Sequence, residues 1–343
     1  MANRFQLSTP LRLPLWSTVL LVSVVPLSLS SRGDGSFVFQ RCLQACLLTQ
    51  CNATSAKLPL SYSYSSYRPR NLRYLEKLIT WECNSECKYH CMWWAVDAFQ
   101  QGGQPVPQFY GKWPQIRLLG IQEPASALFS ALNFITQLVT LLHFLRHVPY
   151  HAPLFSFWIL FALAGLNAWL WSTVFHICDT SITEKLDYCS AFAYVGSFFI
   201  LTLARILYRQ LRWVRFAFLS VAFYLILSYL SHLIAAPEID YEFNMNVHLA
   251  FGLLVLVGWV VGLPNVWTVQ EKAYSRQMQA TVLFIFAAAS LEFFDFPPIW
   301  WLFDAHSLWH AATIFVPFAM FSYAIKDCQY LCRVKSKNME LHL

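Results

Sequence analysis

Charged side chains are what this 343-residue sequence has least of. Lys, Arg, Asp and Glu together make up 12% of it, while hydrophobic residues make up 57%. An ordinary soluble domain carries about 25% charge, so the composition excludes one and points to a chain built for a bilayer. No basic domain stands out, although the formal net charge is +6. Nucleic acid is thereby excluded as a partner, and the positive excess has to be explained by topology.

The second scarcity is local, and it settles orientation. From Pro124 onward the sequence holds seven apolar segments, 125–145, 153–176, 186–207, 214–234, 243–263, 278–294 and 305–325. Each is close to the roughly 20 residues a helix needs to cross a membrane. The sixth is the weakest, because Ser290, Glu292 and Asp295 gather at its far end. Basic residues are almost missing from one set of connections, which carry Asp179, Glu184, Glu238, Asp240, Glu242, Asp295 and Asp304 with the single lysine Lys185. The other set carries Arg146, then Arg205, Arg209, Arg212 and Arg215, then Lys272 and Arg276, and finally Lys326, Arg333, Lys335 and Lys337. Cytoplasmic loops collect Lys and Arg, so the second set and the C-terminus are expected in the cytosol.

The N-terminal third agrees with that orientation. Arg4 and Arg12 precede the apolar run 13–29, and Ser28, Ser30 and Ser31 follow. This predicts a signal peptide over 1–30, cut near Ser30. A retained first helix is the alternative, although Pro14 and Pro26 bracket a stretch short for spanning. Cys42, Cys46, Cys51, Cys83, Cys87 and Cys91 would follow it into an oxidising lumen and form three disulfides, with the pairing left open by sequence. A zinc ribbon is the rival use of such triplets. The second triplet recurs at near-helical spacing, residues 62–67 read as a polar insert, and 100–107 as a linker. Asn52-Ala53-Thr54 is a glycosylation sequon. The expected organisation is an all-α membrane protein: a disulfide-rich luminal segment, 31–123, a seven-helix transmembrane domain, 124–326, and a cytosolic tail, 327–343. Cys178 and Cys189 face the lumen, paired or free. Cys328 and Cys332 lie beside the membrane in the cytosol as plain thiols or lipidation sites.

Against this background a few polar residues are conspicuous. Ser172 and His176 are four apart at the end of the second segment, which puts them on one helix face. Asp187 heads the third segment, and His306 and His310, again four apart, open the seventh. The expected topology gathers His176, Asp187, His306 and His310 at the luminal ends of their helices, with Ser172 one turn below His176. Three imidazoles with an open fourth position describe a catalytic zinc site, and zinc lowers the pKa of its bound water to about 7. Asp187 then suits proton transfer, and Ser172 suits hydrogen bonding to the water or to a developing oxyanion. The competing account is that these histidines merely pack in the core or at the surface. His143, His147 and His151 show similar spacing at the cytosolic side, where interfacial residues are expected; His232 and His248 lack matching partners.

Several stretches resemble a known family. They are Gly33-Asp34, the two cysteine triplets, LITWECNSECKYHC at 78–91, GKWP at 111–114, QEPAS at 122–126, WSTVFH at 171–176, TEKLDY at 183–188 and DAHSLWH at 304–310. Together they are similar to the Per-like family of lipid hydrolases that remodel glycosylphosphatidylinositol (GPI) anchors. The wider superfamily includes alkaline ceramidases and the adiponectin and progestin receptors. The resemblance implies zinc ligation by His176, His306 and His310, with catalytic support from Asp187 and Ser172. It also implies a phospholipase A2 type deacylation of the sn-2 chain of protein-attached GPI in a multi-pass Golgi protein, with the endoplasmic reticulum as the alternative address. GPI-anchored proteins would be the lipid substrate. A ceramidase-like amide hydrolase and a non-catalytic seven-helix lipid receptor or chaperone are the competing functions.

Overall fold

The structure, a computed structural model, describes residues 33–51, 81–294 and 296–340, apart from the side chains of residues 293 and 337–340. The expected signal peptide, the Asn52 sequon, the polar insert at 62–67 and Asp295 lie outside the described residues. Among the described residues the regular elements are helices and three isolated β-bridges.

Two helices form a cysteine layer. Helix α1, Phe37–Cys46, starts where Ser36 accepts a hydrogen bond from the Phe39 amide, and it runs into a single π-turn, Leu47–Cys51. Helix α2, Cys83–Gln101, is longer than the cysteine spacing alone suggests. Disulfides Cys42–Cys91, Cys46–Cys87 and Cys51–Cys83 rivet the two in nested register. The pairing left open by sequence is thus a ladder, and the zinc ribbon is replaced by covalent bonds. The layer's core is small, centred on Phe39, Leu43, Ala95, Val96 and Phe109, so the staples matter: closing a loop of 32 to 49 residues stabilises by about 3 to 5 kcal/mol on the chain-entropy account.

The remaining helices form the apolar body. They are α3, Pro124–His147; α4, Phe155–Ile177; α5, Ser181–Ile206; α6, Arg212–Ala235; α7, Tyr241–Val257, which continues through a π-turn into α8, Leu263–Val266; α9, Val269–Ala289; the short α10, Leu291–Phe294; α11, Ala305–Thr313; and α12, Val316–Glu340. Neighbours in sequence pack from α3 to α6, while α11 and α12 return against α3 and α9. Large aromatics fill the centre, with Trp158, Phe161, Trp259, Phe321 and Tyr323 all fully buried. Helix α6 instead turns Trp213, Phe216 and Tyr224 outward, as a lipid-facing helix does.

Six spans are long and apolar enough to cross a membrane: Pro124–His147, Phe155–Ile177, Ser181–Arg209, Arg212–Ala235, Tyr241–Val266 and Ala305–Ser336. The chain is a multi-pass membrane protein. The segment expected at 278–294 falls on α9, which is not among the six. That helix starts nine residues earlier, because Thr268 and Glu271 form a capping box, so it takes in Glu271, Lys272 and Arg276; it stops at Ala289. Two other elements differ from the sequence pattern. Helix α5 begins at Ser181, where Thr180 and Thr183 make a second capping box, so Asp187 sits within the helix rather than at its head. The last apolar segment is broken at Ile314–Phe315, and α12 runs on past residue 327 as regular helix.

At the end of the body away from the cysteine layer, buried charges tie three helices together. Arg205 on α5 donates two hydrogen bonds to Asp327 on α12 and one to Glu271 on α9; Arg209 takes the other Glu271 oxygen, and Tyr274 donates to Asp327. Buried ion pairs are tolerable only when satisfied in this way.

Candidate metal centre

The centre is assembled from two helix ends. Helix α4 finishes at His176 and Ile177, whose carbonyls accept hydrogen bonds from the Glu123 and Gln122 amides at 3.0 and 3.1 Å. Helix α11 starts at Asp304, whose side chain caps the Ser307 amide at 2.8 Å, and carries His306 and His310 one turn apart. The three rings lie 4.5 to 5.2 Å apart, centroid to centroid. Their ligand nitrogens all fall within 4.8 Å of one another.

The hydrogen bonds specify which nitrogens face inward. His176 Nδ1 donates to Glu123 Oε2 at 2.7 Å and His306 Nδ1 donates to Glu292 at 2.9 Å, so the proton on each of these rings is accounted for on the outer side. His306 Nε2 meets His310 Nε2 at 2.8 Å, and His176 Nε2 is buried with no hydrogen-bond partner. An orphaned imidazole nitrogen aimed at two others, two of the three rings backed by carboxylates, is the donor set that zinc takes. Cys51, Cys83 and Cys87 also cluster, but all three are consumed by disulfides.

The other two sequence candidates are close by. Ser172, buried one turn below His176 on α4, shares a 3.0 Å hydrogen bond with Ser130 of α3. Asp187 on α5 is half-buried and interacts electrostatically with His176 and His306. The three histidines thus form one cluster, with Ser172 a turn below it on α4 and Asp187 within electrostatic reach of it. His143 and His147 stay exposed and stacked on each other, His151 is exposed, His232 lies against Tyr229 and Phe243, and His248 bonds the Asn244 carbonyl. Cys178 and Cys189 are unpaired thiols, as are Cys328 and Cys332.

Sequence reasoning missed the residues behind the clustered histidines. Glu123 stood only inside a matched stretch, and Glu292 counted against a span. Burial by itself would raise the Glu123 carboxyl, but the Lys112 ammonium and His176 outweigh it and hold the group well below the usual carboxylate range. Lys112 Nζ sits 2.8 Å from both Glu123 Oε1 and Asp179 Oδ2, which raises its own pKa despite its desolvation. Asn133 on α3 donates to the His310 carbonyl at 2.7 Å, close to the α11–α12 break. One signal was available: Ser126, Ser130, Asn133 and Gln137 recur at helical spacing in an apolar segment, and all four are fully buried.

A profile of the Per1-like family matches residues 74–328. The chain belongs to the Per1-like family. The match includes the second cysteine triplet, all three histidines, Ser172 and Asp187, and it begins after the first triplet. Among curated relatives, the chain is similar to post-GPI attachment to proteins factor 3 of Drosophila melanogaster, 39% identical over 300 residues, 86% of this chain and 89% of the relative. It is 36% identical over 323 residues to GPI-specific phospholipase A2-like PGAP3 of Bos taurus, and 35% identical over 323 residues to the protein of the same name from Homo sapiens. Each of these two alignments spans 94% of this chain and 97% of the relative. The similarity of this Per1-like chain to them is therefore end to end rather than confined to the histidine helices.

Proposed function

We propose that this protein is a metal-dependent lipid ester hydrolase that removes the sn-2 acyl chain from GPI anchors already attached to protein. The observation that carries the reading is the inward convergence of three imidazole nitrogens, two of them on rings braced by carboxylates. The names of the relatives supply the substrate class. His176, His306 and His310 would hold the metal, for which zinc is the fitting ion. When bound, it supplies a Lewis acid that polarises the ester carbonyl and acidifies water.

The chain's own residues then do the rest. Asp187 accepts the proton of the attacking water. It returns that proton to the glycerol oxygen as the ester C–O bond breaks, leaving a free fatty acid and a lyso anchor. Ser172, its hydroxyl held by Ser130, donates a hydrogen bond toward the oxygen on which charge develops. Lys112 keeps Glu123 ionised, and Glu123 keeps His176 protonated on its outer nitrogen.

Location supports the same reading. The cysteine layer and the histidines occupy one end of the molecule, and disulfides belong in an oxidising compartment. The far end carries Arg205, Arg209, Arg212 and Arg215. We therefore propose a luminal site and a cytosolic C-terminus; residence in the Golgi, rather than the endoplasmic reticulum, is what the family resemblance implies. Helix α9 serves as the seventh crossing: its 21 residues give about 31 Å, and its buried Glu271 is neutralised by two arginines.

The test is the fatty-acid composition of GPI anchors in cells lacking this protein, rescued at equal expression with wild type or Asp187→Asn. Wild type should remove the unsaturated sn-2 chain and the variant should not. Equal rescue by both removes Asp187 from the mechanism, and a wild type that leaves anchors unchanged sinks the function. His306→Ala separates enzyme from receptor: an enzyme loses turnover while folding and trafficking normally, whereas a structural metal site loses the fold.

A further inference from the structure

The stretch between α2 and α3 contacts both helix ends that carry the clustered histidines. On one side it grips the end of α4: Lys112 bridges Glu123 and Asp179 and lies 4.1 Å over the Phe175 ring, and the Gln122 side chain accepts the Asp179 amide at 3.1 Å. On another side it grips the start of α11. Gln115 is buried and donates to Asp304 Oδ2 at 2.8 Å, while Asp304 Oδ1 caps the Ser307 amide. The Ile116 amide donates to the Trp301 carbonyl at 3.0 Å, and Trp301 holds a positive φ of 59° while its ring packs on Trp93 of α2. A tryptophan remains in that costly backbone region only where its surroundings fix it.

The third grip is on the cysteine layer. The Arg117 amide donates to Tyr89 of α2, its guanidinium pairs with Glu86 of the same helix and stacks on Tyr89 and Trp81, and Trp81 donates to the Gly120 carbonyl. A continuous chain of bonds thus runs from the disulfide ladder to both ligand-bearing helix ends. Gln115 has no other described link to a carboxylate, and without it one oxygen of a buried carboxylate loses its donor, a costly state.

We propose that the segment 112–123 is a clamp that transmits the position of the disulfide-stapled helices to the metal centre, with Lys112 acting through Glu123 on His176 and Gln115 acting through Asp304 on His306 and His310. Both are positioning residues. The inference rests on the assignment of these histidines as metal ligands and goes beyond it, because it makes the cysteine layer part of the site's scaffold.

The experiment uses the full chain in detergent as wild type, Lys112→Met, Lys112→Arg, Gln115→Ala and the exposed control Gln104→Ala. Two quantities are read: backbone hydrogen exchange, and Zn2+ retained against a graded chelator. In Lys112→Met, exchange should rise about tenfold at 175–177 and stay unchanged at 305–310; in Gln115→Ala the pattern should be the reverse. Both should release Zn2+ at roughly 10- to 100-fold lower chelator, the usual effect of losing a group behind a ligand, and Lys112→Arg and the control should hold it like wild type. Wild-type exchange at both sites and wild-type retention in both variants overturns the clamp. So does loss of protection throughout α2 in both, since the loop would then be holding the cysteine layer instead. If wild type takes up no Zn2+, the metal assignment fails, and the clamp stands or falls on the exchange pattern alone.

Discussion

Two of the three clustered imidazoles have a carboxylate behind them, and the third has none. His310 Nδ1 is buried without a partner, while Glu123 and Glu292 fix the rings of His176 and His306. Glu123→Gln and Glu292→Gln should therefore each weaken Zn2+ binding by about 10- to 100-fold, read by competition with a chelating dye. The Glu123 carboxyl also makes a pH prediction. Its folded pKa lies well below the ordinary value, so the stability it contributes is present above that ordinary value and is lost as pH falls toward the folded one. The difference in melting temperature between metal-free wild type and Glu123→Gln should be constant above about pH 6 and shrink below the usual carboxylate range. At this scale the histidine cluster was legible because Ser172 and His176, and His306 and His310, each sit within one helical turn. Their supports were not: Glu123 reaches His176 across 53 residues and Glu292 reaches His306 across 14, distances at which periodicity carries no information.

Helices α5, α9 and α12 meet at the Arg205 cluster, where three helices depend on one guanidinium. Arg205→Ala would leave Asp327, fully buried, with Tyr274 as its remaining donor and no cation, and would remove one of two arginines from buried Glu271, at a cost of about 3 to 5 kcal/mol. The expected result is a marked fall in thermal stability, part of which is recovered when Asp327→Leu is added. Unchanged melting of the single variant would show that water or other donors satisfy the carboxylates. The same cluster explains what the sequence concealed about α9. Hydropathy scores a residue by type and ignores what it pairs with, so buried Glu271 and Ser275, together with exposed Lys272, Arg276 and Gln277, lower the score of the first half of α9. The uninterrupted helices α3, α4 and α6 were legible because Asp, Glu, Lys and Arg are nearly missing from them, apart from Arg146 at one end of α3 and Arg212 and Arg215 at one end of α6. The α11–α12 break was hidden because Ile314 and Phe315 are as apolar as their neighbours; what marks it is the Asn133 side chain donating to the carbonyl of His310, three residues before the helix α11 ends.

Across the whole molecule, covalent and non-covalent regions are stabilised by different means. The cysteine layer has a small core and three disulfides, whereas the helical body has a large aromatic core and, among the described residues, no disulfide. Mild reduction should therefore remove protection from α1 and α2 while the body's helices stay protected, apart from the clamped ends of α4 and α11, a difference that hydrogen exchange resolves segment by segment. Simultaneous loss of both signals would mean that the two regions unfold as one. Openness is just as unequal within the site. The side chain of His306 is 43% exposed, whereas that of His176 is 2% exposed. Among the described residues, the open approach for a chelating inhibitor, such as a hydroxamate on an acyl tail, is the α10–α11 edge beside His306. Potency should then track the warhead's fit to that open flank, and substituents there, rather than longer tails, should separate inhibitors of this protein from those of known zinc hydrolases.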